Sequence, residues 1–322
     1  MNNIDVAVIG AGPAGLTAGI YLGRARLKTI IFEKALTGGQ MAISELIENF
    51  PGFPDGVSGA ELAENMKKQA IACGSSIVEE EIKDIKKISV KCRQQSEKCF
   101  NNFTLKTLDA KEYAAQAVII AAGAHPKKLG VPGEDVFIGR GVSYCATCDA
   151  PLFKEKTVAV VGGGDTAVQE ALFLAKYCKK VYLIHRRDRL RATKVLAERF
   201  NSARNIQPVW NSVAVEIFGD KRLKSVNVKD LKTGRVSAVE CDGVFVFAGI
   251  SPDSGIVKGL AKTDSDGYII TDEHMKTSCE GLFACGDVRK KMLRQVVTAC
   301  AEAATAAVSA QHYVEEISGT AY

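Results

Sequence analysis

The sequence predicts an α/β protein made of two three-layer domains, with the second domain inserted into the first. The main observation is a pattern of strand, glycine-rich turn, helix and strand that occurs twice, at residues 4–34 and again at residues 157–187. Apolar segments on either side of the second copy mark where the chain leaves the first domain and where it returns. A chain of 322 residues is also long enough for two domains of ~100–200 residues each.

The first copy of the pattern matches a dinucleotide-binding fingerprint. Gly10 makes the turn, Gly12 lets the backbone approach a pyrophosphate, and Gly15 allows the helix to pack closely on the strand. Glu33 follows the second strand, where a carboxylate can accept a hydrogen bond from a ribose hydroxyl. The pattern therefore predicts a Rossmann-like domain. Its predicted elements are a strand at Ile4–Ile9, a helix at Leu16–Ala25 and a strand at Thr29–Phe32.

The second copy differs from the first at the end of its second strand. No acid follows that strand; His185, Arg186 and Arg187 stand there instead. A carboxylate would repel a 2′-phosphate, whereas guanidinium groups bind phosphate with paired hydrogen bonds. The first site therefore suits a dinucleotide with a free 2′-hydroxyl, and the second suits NADP. The predicted elements are a strand at Thr157–Val161, the turn Gly162–Ala167, a helix at Val168–Tyr177 and a strand at Val181–Ile184.

The repeated pattern sets the predicted domain boundaries. The first domain comprises residues 1–120 and 249–322, and the second comprises residues 121–248. Short alternating segments within residues 76–116 predict a small β-sheet that covers the first domain. Two unlike dinucleotide sites in one chain indicate an electron relay between a resident flavin and a nicotinamide that exchanges.

One cysteine pair stands out among ten cysteines that are otherwise scattered, namely Cys145-Ala-Thr-Cys148. Such a pair at the start of a helix lowers the pKa of one thiol, because the thiolate meets unsatisfied backbone N–H groups. Pro151 limits the helix to a turn or two. The following Asp149 can serve as a helix N-cap, as a general acid and base, or as both. A structural zinc site would need a second pair or histidines at ligand spacing, so no metal is expected.

Composition excludes other classes of protein. The 42 basic residues exceed the 37 acidic ones by five, and this modest excess is not gathered into a block that would indicate nucleic acid or a membrane surface. The chain has no run of ~18 apolar residues, so no membrane span is expected. The N-terminus lacks the features of a signal peptide, and the cysteines do not form a secreted scaffold. A cytoplasmic location follows as an expectation.

Several motifs, in this order and spacing, resemble the low-molecular-weight thioredoxin reductase family over essentially the whole chain. They are Gly10–Gly15, Gly38-Gly-Gln40, Glu48-Asn-Phe-Pro-Gly52, Cys145-Ala-Thr-Cys-Asp149, Gly162–Ala167, His185–Asp188 with Arg191-Ala192, and Gly286-Asp287 with Arg294-Gln295. The resemblance implies a homodimer that binds FAD and NADPH and reduces the disulfide of thioredoxin. It further implies that Cys148 is the sulfur next to the flavin, that Cys145 attacks thioredoxin, and that Asp149 transfers the proton.

The resemblance and the fingerprints together give two sets of cofactor-binding residues. Those expected for FAD are Gly10, Gly12, Pro13, Ala14, Gly15, Glu33, Lys34, Gly38, Gly39, Gln40, Asn49, Gly286, Asp287, Arg294, Gln295 and Val296. Those expected for NADPH are Gly162, Gly163, Gly164, Asp165, Thr166, His185, Arg186, Arg187 and Arg191.

The position of the dithiol separates this family from its relatives. The glutathione reductase type carries its cysteines soon after the first fingerprint, and residues 35–60 here contain none. The resemblance further implies that the inserted domain rotates about its two connections to deliver the dithiol and NADPH to the flavin in turn. The chain departs from the family pattern at Ala122, at Ala150 and at Ala301 with Ala303. A reductase for a glutaredoxin-like or peroxiredoxin-linked partner, and a non-enzymatic flavin redox sensor, remain alternatives.

Overall fold

A computed structural model describes residues 2–44, 46–91 and 99–319. The strands are β1 Asn2–Ile9, β2 Thr29–Phe32, β3 Ser76–Val78, β4 Ile82–Lys91, β5 Cys99–Thr107, β6 Glu112–Ile120, β7 Ala124–Pro126, β8 Val142–Ser143, β9 Thr157–Val161, β10 Lys180–Ile184, β11 Ile206–Val209, β12 Ser212–Gly219, β13 Leu223–Asp230, β14 Val236–Glu240, β15 Gly243–Val246, β16 Ile250–Pro252 and β17 Leu282–Ala284. The helices are α1 Pro13–Arg24, α2 Gly39–Ala42, α3 Gly59–Ala72, α4 Glu134–Phe137, α5 Ala146–Asp149, α6 Asp165–Leu174, α7 Lys194–Ser202 and α8 Val296–Ser318.

The chain divides into two compact units. Unit 1 runs to His125 and resumes at Ser251, and unit 2 spans Pro126–Ile250. The two divisions lie a few residues after those expected from the sequence. Within the described ranges, no helix combines the length and the apolar character needed to cross a membrane.

Unit 1 contains a seven-stranded sheet whose strand order is β3-β2-β1-β6-β5-β4, with β17 also beside β6. Strands β3, β2, β1, β6 and β17 run parallel, whereas β5 and β4 continue antiparallel from β6. The small sheet expected within residues 76–116 is present as the antiparallel strands β4 and β5 with the first half of β6, and it is continuous with the parallel strands. β3 extends the parallel part, and β6 belongs to both parts because β5 pairs with Glu112–Ala115 and β17 with Val118–Ile120.

Helices α1 and α8 pack together in unit 1 through small side chains. Cys300 of α8 lies 3.9 Å from the carbonyl of Pro13, so the first turns of α8 adjoin the start of α1. The face of α1 toward β2 is equally tight: a Cβ at Gly19 would lie 2.5 Å from Ile31 Cδ1. Such close approach needs residues without bulk. The buried alanines of α8 are Ala299, Ala303, Ala306, Ala307 and Ala310.

Unit 2 repeats the same arrangement on a smaller sheet. Its five strands have the order β11-β10-β9-β15-β8, and every pair described in this sheet is parallel. The order β11-β10-β9-β15 corresponds to β3-β2-β1-β6 of unit 1, as in a doubly wound nucleotide-binding fold. A three-stranded antiparallel sheet, β12-β13-β14, completes the unit. In each unit the glycine turn directly follows the first strand of the pattern, β1 or β9. The turn therefore lies at the carboxyl edge of the sheet.

Candidate active site

The first glycine turn joins β1 to α1 and leaves open space at the start of the helix. Gly10 has φ +103° and lies so close to Ala121 that a Cβ would come 2.9 Å from the Ala121 carbonyl carbon. A Cβ at Gly15 would collide with the Gly10 carbonyl, whereas one at Gly12 would meet nothing within 4 Å. No side chain caps α1, and Pro13 at its start has no N–H to satisfy. The helix N-terminus is therefore free to bind a phosphate.

Two further segments of unit 1 lie against this turn. Glu33 accepts hydrogen bonds from Ala11 N (2.7 Å) and from Ala35 N (2.9 Å). Gly38 N donates to Ala11 O at 2.7 Å, and a Cβ at Gly39 would lie 3.4 Å from the Gly12 Cα. The second glycine loop thus packs on the fingerprint turn. The neighbouring side chains of Lys34 and Gln40 are exposed.

The C-terminal part of unit 1 reaches the same place. Asn49 Nδ2 donates to Gln295 Oε1 at 3.0 Å, joining positions 246 residues apart. Gly286 has φ +75°, and a Cβ there would lie 3.0 Å from Ala14 Cβ. The Arg294 guanidinium stacks on the Tyr268 ring at 4.1 Å, and Val296 begins α8. The structure therefore brings most of the residues expected for FAD to one end of α1.

The second glycine turn, between β9 and α6, has the same form. Gly162 has φ +154°, a Cβ at Gly164 would meet nothing within 4 Å, and no side chain caps α6. The Asp165 carboxylate accepts a 2.6 Å hydrogen bond from Thr193 N. Its use in holding the loop after β10 was not foreseen from the sequence. The Thr166 side chain is exposed.

The basic cluster after β10 lies against this second turn. A Cβ at Gly163 would collide with the His185 imidazole, and Arg191 N donates to Gly163 O at 2.7 Å. Burial lowers the pKa of His185, and the neighbouring Arg187, Arg186 and Arg191 lower it further. His185 is therefore neutral at pH 7, while the three arginines are exposed. Their guanidinium groups can meet a phosphate beside the turn.

Both turns fit a dinucleotide, and they differ in what they offer its ribose. In each unit an uncapped helix N-terminus faces open space, which a Cβ at Gly12 or at Gly164 would enter. Unit 1 adds the Glu33 carboxylate, and unit 2 adds the arginines after β10. A carboxylate accepts from a hydroxyl, and a guanidinium binds a phosphate. The residues present fit FAD in unit 1 and NADPH in unit 2.

The dithiol of unit 2 forms a disulfide between Cys145 and Cys148 at the start of α5. Cys145 Sγ accepts from Cys148 N at 3.1 Å and thereby caps the helix. Ser143 Oγ accepts from Cys145 N at 3.1 Å, which fixes the chain entering the turn. Cys148 is exposed and Cys145 is half-buried. A thiolate at Cys145 would receive a charge-assisted hydrogen bond at this position.

The structure beyond the dithiol is short, as the sequence predicts. One turn of α5 is followed by a 3₁₀ turn at Ala150–Phe153 that contains Pro151. Asp149 stands before this 3₁₀ turn, and its side chain makes no capping hydrogen bond. Its half-buried carboxylate therefore does not act as an N-cap.

The sequence did not predict the buried carboxylate of Glu134, which lies close to the dithiol along the hydrogen-bond network. Glu134 is 2% exposed and accepts from Leu129 N (2.8 Å), Gly130 N (2.7 Å) and the Tyr144 hydroxyl (2.8 Å). Burial raises the pKa of Tyr144, and the Glu134 carboxylate raises it further. Tyr144 immediately precedes Cys145, so this network anchors the entry to the dithiol turn. Glu134 follows Pro132-Gly133, where an acidic residue ordinarily indicates an exposed turn.

Four buried or half-buried cysteines outside the pair are poor nucleophiles, because their thiols are held protonated. Burial and, to a lesser extent, the nearby Asp242 raise the pKa of Cys178 to about 11 and that of Cys241 to about 12. Burial likewise raises the pKa of Cys285 and of Cys300. Cys92 lies outside the described residues. Across residues 2–44, 46–91 and 99–319, no group of three or more metal-binding side chains is assembled.

Comparison with known proteins supports two nucleotide sites and a redox-active disulfide. Residues 4–303 match the family described as pyridine nucleotide-disulphide oxidoreductase. The thioredoxin reductase of Treponema pallidum (strain Nichols) is 46% identical, with 97% of this chain and 98% of that protein covered. The thioredoxin reductase of Bacillus subtilis (strain 168) is 44% identical, with coverages of 98% and 96%.

A solved structure gives the same result. The crystal structure of Lactococcus lactis thioredoxin reductase is 39% identical and has a TM-score of 0.91, with 97% of this chain and 99% of that chain covered. The α/β fold class and the family expected from the sequence are confirmed. This chain belongs to the pyridine nucleotide-disulphide oxidoreductase family, among the thioredoxin reductases.

Proposed function

We propose that this chain is an NADPH-dependent thioredoxin-disulfide reductase in which electrons pass from NADPH through FAD to the Cys145–Cys148 disulfide and then to oxidised thioredoxin. One observation carries the proposal. Unit 2 contains both the Cys145–Cys148 disulfide and the glycine turn beside the arginine cluster, and unit 1 contains a second open glycine turn together with Glu33. When bound, NADPH supplies a hydride and FAD supplies the two-electron step that reduces the disulfide.

The binding residues follow from the two turns. In unit 1 the backbone at Gly10, Gly12 and Gly15 would hold the FAD pyrophosphate at the start of α1, and Glu33 would accept from the adenosine ribose. In unit 2 the turn Gly162–Ala167 would hold the NADPH pyrophosphate, and Arg186 with Arg187 would bind the 2′-phosphate.

The dithiol reaction is an exchange in two steps. The Cys145 thiolate attacks one sulfur of the thioredoxin disulfide, so a mixed disulfide forms and the other thioredoxin sulfur leaves as a thiolate. Asp149 gives a proton to this leaving thiolate. The Cys148 thiolate then attacks Cys145 Sγ, which releases reduced thioredoxin and restores the Cys145–Cys148 disulfide. The hydrogen bond from Cys148 N to Cys145 Sγ supports Cys145 as the attacking sulfur, because it stabilises a thiolate there.

Single Cys→Ser variants test the order of the sulfurs. Either variant is expected to lose thioredoxin reduction in the steady state, because a second thiol is needed to resolve the mixed disulfide. Cys148→Ser leaves Cys145 able to attack, so mass spectrometry should detect a stable adduct with oxidised thioredoxin. Cys145→Ser should give no such adduct. A stable adduct on Cys148 instead would reverse the two roles and leave the reaction unchanged.

The homodimer and the cytoplasmic location are part of the same proposal, supported by the family resemblance. Light scattering coupled to size-exclusion chromatography measures the first directly, with twice the 34.5 kDa chain mass as the expected result.

A further inference from the structure

One carboxylate of α8 contacts both ends of the segment that carries Gly286 and Asp287. Glu302 Oε2 accepts from Gly286 N at 2.9 Å and lies 3.3 Å from Lys291 Nζ. Glu302 Oε1 lies 3.0 Å from an Arg289 guanidinium nitrogen. A single side chain therefore binds three positions of a six-residue segment.

The middle of the segment is held in a different way. Ile269 N donates to Val288 O at 3.0 Å, and Lys290 N donates to Ile269 O at 2.9 Å. Arg289 Nε also donates to Thr271 Oγ1 at 2.8 Å. Backbone pairing thus fixes the centre of the segment, whereas the Glu302 carboxylate fixes its two ends. Without Glu302, the buried N–H of Gly286 would lose its acceptor, which is costly away from water.

The charges of this cluster balance. Lys291 Nζ lies 3.0 Å from Asp287 Oδ1 as well as near Glu302, so two cations face two anions. The Lys291, Glu302 and Arg289 side chains are 6%, 13% and 14% exposed, and that of Asp287 is 36% exposed. Burying ion pairs contributes little net stability, because desolvation offsets the attraction. Orientation of the exposed member, Asp287, is the better explanation for the cluster.

We propose that Glu302 is a positioning residue of the flavin site. It holds the Gly286–Asp287 turn against Ala14 at the start of α1 and, through Lys291, fixes the Asp287 carboxylate and the local charge. This inference rests on the proposed function, because it assumes that FAD binds in unit 1. The contact is close enough to need such control, since Gly286 has φ +75° and a Cβ there would come 3.0 Å from Ala14 Cβ.

The test compares Glu302→Gln with Glu316→Gln, which makes the same change at an exposed position of the same helix. The two sites are ~21 Å apart along the axis at a rise of about 1.5 Å per residue. FAD is removed from each purified protein, and its dissociation constant is measured from the quenching of FAD fluorescence. Loss of one charge-assisted hydrogen bond should raise the constant about tenfold in Glu302→Gln and leave Glu316→Gln at the wild-type value.

The flavin midpoint potential separates positioning from a merely structural role. Glu302→Gln leaves an uncompensated cation near the flavin, so the potential should become more positive. Lys291→Met leaves an uncompensated anion and should make it more negative. General damage would not move the potential in opposite directions, and Lys291→Met keeps the test available if Glu302→Gln fails to fold.

The outcomes separate the two proposals. If wild type binds FAD but Glu302→Gln matches Glu316→Gln in affinity and potential, the role of Glu302 is overturned and the proposed function stands. The role of Glu302 is likewise overturned if Glu302→Gln and Lys291→Met shift the potential in the same direction. If the wild-type protein binds no FAD, both proposals fail.

Discussion

The buried carboxylate of Glu134 gives a sharp stability prediction. Glu134→Gln keeps the size of the side chain but replaces one accepting oxygen with an NH₂ group. At least one of the hydrogen bonds from Leu129 N, Gly130 N and the Tyr144 hydroxyl is then lost, and its donor faces another donor. A hydrogen bond to a charged group contributes about 1.5–3 kcal/mol, and a buried orphaned donor costs about 1–3 kcal/mol. We expect the free energy of unfolding of unit 2 to fall by about 2–4 kcal/mol.

Urea denaturation, monitored by tryptophan fluorescence, measures this change specifically in unit 2. Trp210 is the only tryptophan of the chain, and it lies in unit 2, partly buried against the core there. Tyr144→Phe removes one of the three donors and should cost about 1–2 kcal/mol. The matched control is Asp135→Asn at the next, exposed position, which should unfold like wild type. A Glu134→Gln protein that also unfolds like wild type would refute this reasoning.

Two other predictions concern the cofactor turns. Replacing Arg186 and Arg187 by Ala should raise the KM for NADPH by roughly tenfold to a hundredfold for each arginine, because each replacement removes a charge-assisted contact with the 2′-phosphate. The KM for NADH should barely change. Steady-state kinetics with both nucleotides measure this, and a wild-type protein that prefers NADH would contradict the assignment. Gly15→Ala should abolish FAD binding, because the added Cβ would collide with the Gly10 carbonyl. The matched change at the corresponding position of the second turn, Ala167→Gly, should keep NADPH binding. If the absorbance spectrum shows that Gly15→Ala retains bound flavin, the turn can open and the prediction is wrong.

The local pattern of the sequence is enough to predict the nucleotide-binding elements. Strand β2 and strand β9 begin and end where predicted, because each is a mostly apolar run between strong boundaries. Lys28 and Glu33 bound β2, and Lys156 and Gly162 bound β9. The pattern places the starts of α1 and α6 three residues too late. α1 begins directly after Gly12 and α6 directly after Gly164, so the turn residues that follow these glycines already belong to the helices.

Long-range pairing could not be read from the sequence. The alternating segments within residues 76–116 predicted strands, but alternation along a strand does not reveal its neighbours. The pairing of the two halves of β6 with different strands, which joins the small sheet to the parallel one, was therefore not foreseen. The roles of Glu134 and Glu302 also depend on contacts with distant residues. An acid after Pro-Gly and an acid within an alanine-rich helix look like surface residues until the fold brings donors to them.

An anaerobic titration followed by flavin absorbance tests the electron path most directly. Wild type should lose its flavin absorbance band when NADPH is added and regain it when excess oxidised thioredoxin follows. The protein with both Cys145→Ser and Cys148→Ser should lose the band with NADPH and fail to regain it with thioredoxin. Recovery in this double variant would contradict the path through the dithiol, and a wild-type band that NADPH leaves unchanged would contradict the path as a whole.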